Sequence, residues 1–302
     1  MPERISSDLS QAIFDTLLYS DIFDFPLKAG EIHRYLSGRA ATYDDVSHAL
    51  NMDPSYIQQG EYFTLPGRGK IVYFREQREQ RSQELLPYAL AYGRIMGFLP
   101  FIRMVALTGS LAVHNVSQDE DFDYMLVTQP GRLWTARAFV LLLGRFTRLV
   151  RHTICPNVIV AEDSLEWRLH DMYSARDLCQ MIPITGMNVY QSLMKANGWV
   201  MDYLPNAYAE AVTISTEKKH RPVLQRLFEL LLRGPLGERF ERWEMHRKIE
   251  RFSRQEGFGV ETIFNASICQ GNFDHHRQWT RQELGKRGAS IDRKDSIKED
   301  GL

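Results

Sequence analysis

The sequence predicts a mixed α/β (α+β) fold: a small sheet flanked by helices, a helical module ahead of it and a helical region behind. Three observations lead there. Short apolar runs, Ile102 to Leu107, Tyr124 to Val127 and Thr153 to Ala161, have the length of buried strands. Stretches with helical periodicity separate these runs and fill both ends of the chain. The 302 residues are 44% hydrophobic and 25% charged, which is ordinary for a globular protein and enough for about two domains.

At the N-terminus, residues 8 to 22 place Ile13, Leu17 and Leu18 on one helical face, and Phe25-Pro26 ends the helix. A second helix runs from Lys28 to Leu36. The third, Tyr43 to Asn51, has Thr42 as N-cap and Asp44 and Asp45 in its first turn, where carboxylates suit the helix dipole. Two short β-runs around Pro66-Gly67-Arg68-Gly69 read as a hairpin. Three helices and a hairpin make residues 1–72 a winged-helix-like module, whose usual work is to set its third helix in a DNA major groove. That helix, YDDVSHALN, carries two acidic residues and no Lys or Arg, so the cations that grip phosphate are missing. DNA is therefore not the expected partner, and a packing or substrate-positioning module is. Arg75, Arg78 and Arg81 follow, but Glu76, Glu79 and Glu84 interleave with them as on a solvated helix face.

Residues 73–165 form the expected core. A long helix, Tyr73 to Gly97, leads to the strand Ile102 to Leu107, which Thr108-Gly109-Ser110 breaks. Leu111 to Asn115 can form a short helix, and after a carboxylate-rich turn Asp121-Phe122-Asp123 opens the next strand. Alternation points Asp121 and Asp123 the same way and Phe122 into the core. Two carboxylates fixed side by side repel unless a cation sits between them; a hard divalent ion, Mg²⁺ above all, as one ion or two, is the natural occupant. Gly109 lets a ligand approach the backbone, and the N–H groups of Gly109 and Ser110 and the following helix N-terminus can be aimed at phosphate oxygens. A phosphate cradle beside a metal-binding pair is the equipment of nucleotidyl or phosphoryl transfer. Gln129-Pro130-Gly131 then turns into a helix from Arg132 to about Val150, a βαβ-like crossover in which Leu133, Phe139, Leu142 and Phe146 can pack on the sheet. Arg132 is placed for a triphosphate; surface solubility is the competing reading for it and for Arg137.

At Gly109-Ser110, the gap Leu111 to Glu120 and Asp121-Phe122-Asp123, the chain resembles the DNA polymerase beta-type nucleotidyltransferase superfamily. The segments CPNVIVAEDSLEW, DLCQMIPITG and ANGWVMDYLPNA look like a bacterial group of nucleotidyltransferases. The resemblance implies a nucleotidyltransferase-type sheet and a third carboxylate on the third strand, the base that takes a proton from the attacking hydroxyl. Here the strand TICPNVIVA departs from the pattern. Its amide, Asn157, cannot accept a proton, and the carboxylates Glu162 and Asp163 lie just past its end. Either Glu162 or Asp163 is the base from a shifted position, or the base is absent.

Residues 166–284 read as helical: Tyr173 to Met181, Met187 to Asn197, Val223 to Arg233, and a charged helix from Glu238 to Arg254 with Phe240, Trp243 and Ile249 as a thin apolar seam. That last helix could cover the active-site side or pair with another subunit, so a homo-oligomer is open. Trp199, Tyr203 and Leu204 read as core before Pro205-Asn206 stops the chain. Asp274-His275-His276 suits a surface loop or helix start better than a metal site. Residues 285–302 form a polar tail, expected to be disordered.

The totals narrow the partners. Net charge is −1, so no global field recruits nucleic acid. Three spaced cysteines, Cys155, Cys179 and Cys269, suit buried thiols in a reducing compartment. No signal peptide or bilayer-spanning run is apparent, so the cytoplasm and no membrane partner are expected. The leading expectation is an enzyme that binds NTP–Mg²⁺ and moves a nucleoside monophosphate to an acceptor hydroxyl on RNA, protein or a small molecule, releasing pyrophosphate. The other readings are a non-catalytic nucleotide-binding regulatory protein, supported by the missing strand carboxylate, and a winged-helix DNA-binding regulator, which the acidic third helix disfavours.

Overall fold

Three helices and a small sheet come first. The computed structural model describes residues 7–117, 121–213, 223–259 and 261–288. Helix α1 (Ser7–Asp21), strand β1 (Leu27–Lys28), helices α2 (Ala29–Arg34) and α3 (Tyr43–Met52), and strands β2 (Ile57–Gln59) and β3 (Tyr62–Thr64) enclose a core of Ile13, Leu17, Leu27, Ile32, Leu36 and Val46. The strands form an antiparallel sheet in the order β1-β3-β2. Thr42 caps α3 as its sequence requires: its hydroxyl accepts from the Asp45 amide at 3.2 Å, and the Asp45 carboxylate accepts from the Thr42 amide at 3.2 Å.

The hairpin lies earlier than expected. It turns at Gly60, which takes a left-handed φ of +61°. The Pro66-Gly67-Arg68-Gly69 segment is instead the approach to helix α4 (Ile71–Met96). Ile71, Val72 and Arg75 are buried at helical spacing, so the second β-run becomes the first turn of that helix. Arg75 and Glu79 also leave the expected solvated face. The Arg75 guanidinium lies 3.8 Å from the Phe25 ring centre and donates to Glu31 at 2.9 Å, while Glu79 accepts from Tyr62 and Lys28.

The central sheet is built from β4 (Ile102–Leu107), β5 (Phe122–Thr128), β6 (Ile154–Ala161), β7 (Ile182–Thr185), β8 (Thr262–Phe264) and β9 (Ile268–Gly271), in the order β7-β4-β5-β6-β9-β8. A one-turn helix α5 (Gly109–Ala112) follows β4, and α6 (Leu133–Thr147) crosses from β5 to β6. Those two strands are parallel and every other pair is antiparallel, so the βαβ crossover is present. Strands β7, β8 and β9 come from the region read as wholly helical, and the sheet continues through it.

Helices cover both faces of this mixed sheet. On one, Met104, Ala106, Met125, Val127 and Val160 pack against α1, α7 (Met172–Gln180), α8 (Met187–Ala196) and α9 (Pro205–Val212). Pro205 opens α9 at its first turn, where its missing N–H costs nothing, rather than stopping the chain. On the other face, Val105, Leu107, Tyr124, Leu126 and Ile159 meet α4 and α6. Helix α6 turns Leu133, Trp134, Ala136 and Val140 inward and leaves Leu142 and Phe146 exposed, a rotation from the expected face. Helix α11 (Pro235–Phe252) packs on α6, α10 (Val223–Leu232) lies beside α11 against the segment that enters β4, and α12 (His276–Lys286) closes the described chain. His275 stands at the start of α12. Of the polar tail, residues 289–302 lie outside the described residues. Among the described residues no helix is long and apolar enough to cross a membrane.

Candidate functional site

Strand β4 ends at Leu107, and the chain turns at Thr108 and Gly109 onto the first residues of β5. The Thr108 amide donates to the Asp123 carbonyl at 2.9 Å, which ties the turn to the strand carrying the carboxylates. Gly109 has a φ of +69°, a backbone region that residues with a Cβ avoid. Space adds a second constraint: a Cβ there would stand 2.5 Å from Asp123 Oδ2. The bare backbone of Gly109 and the Asp123 carboxylate thus share one small volume. Beside it, Thr108 Oγ1 is buried with no hydrogen-bond partner.

Helix α5 is a single turn, too short for a developed macrodipole, so the N–H groups of Gly109 and Ser110 are what this turn could offer an anion. Leu111 and Ala112 anchor that turn in the core. From α4, Arg78 donates to Asn115 Oδ1 at 3.1 Å, and the Ser82 hydroxyl accepts from the Val116 amide at 3.3 Å. Asp121 stands just before β5 and is exposed; Asp123 is half-buried and shares its sheet face with Met125 and Val127.

The third strand brings no carboxylate to this place. Asp123 pairs with Cys155, and the register then slips: Tyr124 pairs with Pro156 and Met125 with Val158. Asn157 is the extra residue and is exposed. Pro156 has no N–H for the ladder, which is the physical reason for a bulge there. The Cys155 thiol is hydrogen-bonded to Asp123; burial and that neighbouring charge push it up to about 12, so it stays a neutral thiol.

Glu162 and Asp163 do not join the pair. Strands β5 and β6 run parallel, Ala161 pairs with Thr128, and the Glu162 amide donates to the Thr128 carbonyl at 2.9 Å. Both residues therefore lie at the far end of the strand from Asp123, roughly 17 Å along it at about 3.3 Å per residue. The expected base is corrected on that ground. Arg132 shares this far end. Its guanidinium is buried against Phe101 and donates to the carbonyls of Gly131 at 2.8 Å and Arg233 at 3.0 Å, so it serves packing and not a triphosphate at Asp121 and Asp123. Arg137 is half-buried near Phe252, 5.1 Å from its ring centre, and is not a surface solubility residue.

One carboxylate that the sequence reading passed over stands on the Asp123 face. Asp177 belongs to α7, whose Met172, Ala175 and Leu178 pack against Met125 and Val127. Burial, then the charges of Asp171 and Asp123, raise its carboxyl to about 7. Asp177 in turn helps to raise the Tyr173 hydroxyl far above its ordinary range. Asp171 caps α7, accepting from the Ser174 amide at 2.8 Å, and is ion-paired with Arg277 of α12. Asp171 therefore fixes the N-terminus of α7 to α12. The sequence did carry a signal: Arg176-Asp177 interrupts an otherwise apolar helical face.

The donor chemistry of Asp121 and Asp123 is compatible with a hard divalent ion. The two could offer carboxylate oxygens, and Mg²⁺ ordinarily takes one or two carboxylates with water and substrate phosphate making up the rest. Among the described residues, no group of three or more His, Cys, Asp and Glu side chains is arranged to hold a metal ion unaided. No family model, no curated protein and no solved structure matches this chain.

Proposed function

We propose that this chain is a nucleotidyltransferase that moves a nucleoside monophosphate from an NTP–Mg²⁺ complex to an acceptor hydroxyl. The observation that carries the reading is the fit of Gly109 against Asp123. A position that must be left-handed and must lack a Cβ lies directly on a carboxylate, with backbone N–H groups beside it. In this reading Asp121 and Asp123 hold the metal, which neutralises charge developing on the transferred phosphoryl group. The amides of Gly109 and Ser110 hold phosphate oxygens. Asp177 accepts the proton of the attacking hydroxyl, since a carboxyl that ionises near 7 is matched to that task at neutral pH. The order β1-β3-β2 with three helices supports a winged-helix module in residues 1–72. Its α3 exposes Asp44 and Asp45, which supports a positioning role over DNA reading.

The regulatory alternative rests on Cys155. In the strand position beside Asp123, a neutral thiol stands where a third carboxylate would serve catalysis. The test is release of pyrophosphate from each NTP with Mg²⁺, against tRNA, total protein and small hydroxyl acceptors. Mg²⁺-dependent NTP binding without release under any of these conditions would favour the regulator.

A further inference from the structure

Helices α10 and α11 are built inside out. In α10 the buried residues are Gln225 and Glu229. The Gln225 amide donates to the Leu99 carbonyl at 2.9 Å, and Glu229 accepts from the Phe101 amide at 2.9 Å and from Arg103 at 2.8 Å. In α11, Glu241 accepts from the amides of Trp134 and Thr135 at 2.9 and 2.7 Å, so it caps the start of α6. Polar side chains facing inward leave the apolar ones outside. Leu224, Leu227 and Leu231 follow one another at helical spacing on α10, as do Leu236, Phe240 and Trp243 on α11, and all six are exposed. Leu231 is 69% and Leu236 is 82% accessible. Isolated exposed leucines are ordinary; a row along two neighbouring helices marks a docking surface.

Charge is sorted the same way. Glu229, Glu241 and Glu244 are buried, whereas Arg226, Arg233, Arg239, Arg242, Arg247 and Arg251 are exposed. Arg233 and Arg247 reach back to the buried Glu229 and Glu244, at 3.8 and 2.6 Å, which leaves Arg226, Arg239, Arg242 and Arg251 facing outward against the exposed Glu238 and Glu250. We infer that the outward face of α10 and α11 lies on an anionic bilayer surface, its apolar row at the acyl boundary and its arginines among the lipid phosphates. Leucine and aromatic residues on one stripe with arginine at its edges suit that interface. A second copy of the chain would press arginine against arginine in a two-fold contact. A nucleic acid would engage the arginines but leave the leucine row in water. The described helices would lie on the membrane surface without crossing it. This inference does not depend on nucleotidyl transfer.

The test is co-sedimentation of the full chain with vesicles of phosphatidylcholine alone and with phosphatidylserine added. Binding is expected to the phosphatidylserine vesicles and to weaken with salt. The double variant Leu227→Glu/Leu231→Glu should lower the partition coefficient about ten-fold or more, because it removes inserted apolar area. Arg226→Glu/Arg239→Glu/Arg242→Glu should abolish the preference for phosphatidylserine, and both variants should keep the far-UV spectrum of the parent. No binding to either vesicle, or binding that these variants leave unchanged, overturns the inference. So does a solution dimer, seen by light scattering, that the leucine variant splits, since the face would then belong to a second copy.

Discussion

The two ends of β5 are made of different material. At its start stand Asp121 and Asp123, a bare Gly109, a neutral Cys155 thiol and, on α7, an Asp177 carboxyl that ionises near neutrality. At its other end the buried charges are engaged with the fold. Glu229 joins Arg103 and the Phe101 amide, Arg132 lies over the Phe101 ring and donates to backbone carbonyls, and the carboxylates of Glu162 and Asp163 stand out in solvent. One end keeps backbone and carboxylate close together at the cost of a left-handed turn; the other uses its charges to fasten α10 to the sheet. The contrast teaches that a charged residue near a motif in sequence takes its meaning from the strand direction. Mutations at the first end are expected to change chemistry and those at the second to change stability.

The largest effects belong to the first end. Asp123→Asn removes a ligand charge from a pair, and pyrophosphate release should fall below detection with the fold intact by circular dichroism. Unchanged Mg²⁺-dependent NTP affinity by calorimetry, in this variant and in Asp121→Asn, would refute the metal assignment. Gly109→Val should likewise block NTP binding, since its side chain meets Asp123 and its backbone is strained at a φ of +69°. A Gly109→Val protein that folds and binds NTP normally would move the cradle elsewhere.

Next in size is Asp177→Asn, which should depress turnover by about 10²–10⁴-fold while NTP affinity changes little. Its pH signature separates it from a packing defect. The folded protein holds the Asp177 proton up to about 7, whereas the ordinary value is 3.8. Turnover should therefore rise with pH through about 7, as the carboxylate forms, and the variant should lose that limb. Stability runs the other way. Both states are protonated at low pH, and the folded state alone keeps its proton as pH rises towards 7, so stability falls over that interval. Asp177→Asn should melt higher than the parent at pH 8, with the gap closing towards pH 4. A rate profile that stays the same in parent and variant would remove Asp177 from the mechanism.

Much of this was legible in the sequence. The apolar runs gave β4, β5 and β6, and Gly109-Ser110 with Asp121 and Asp123 located the first end of β5. Thr42 marked the start of α3. What escaped has physical causes. Strands β7, β8 and β9 are only three or four residues long and largely half-buried, so periodicity had too little to act on. Gly67 and Gly69 outweighed Gly60 as turn signals because the helical burial of Ile71, Val72 and Arg75 depends on tertiary packing. Arg176-Asp177 reads in the sequence as a charged pair on a helix, and only the packing of α7 on the sheet brings Asp177 towards Asp123. Glu162, Asp163 and Arg132 could have been excluded from the crossover alone. If α6 joins two parallel strands, residues past their C-terminal ends lie away from carboxylates at the start of β5.

At the second end, Glu229→Ala leaves Arg103 and the Phe101 amide buried without their partner. Loss of a buried ion pair on one side costs about 3–5 kcal/mol, read as a shift of the urea midpoint. Turnover per folded molecule should be unchanged. A loss of turnover larger than the loss of folded protein would mean that the two ends communicate.

The smallest effects are expected just past the end of β6. Glu162→Gln and Asp163→Asn replace exposed carboxylates that lie a strand length from Asp123, with their backbone bonds untouched. Neither has a path to a hydroxyl bound near Gly109, because a base must come within hydrogen-bond reach of its proton or act through one water. Both variants should therefore turn over within about two-fold of the parent, and surface substitutions of this kind ordinarily move stability by less than about 0.5 kcal/mol. The measurement is a side-by-side rate and urea titration of Glu162→Gln, Asp163→Asn and Asp177→Asn. A hundred-fold loss in either of the first two, with Asp177→Asn active, would place the base at the far end after all. The acceptor would then have to reach across the whole of β5, and the contrast between its ends would collapse.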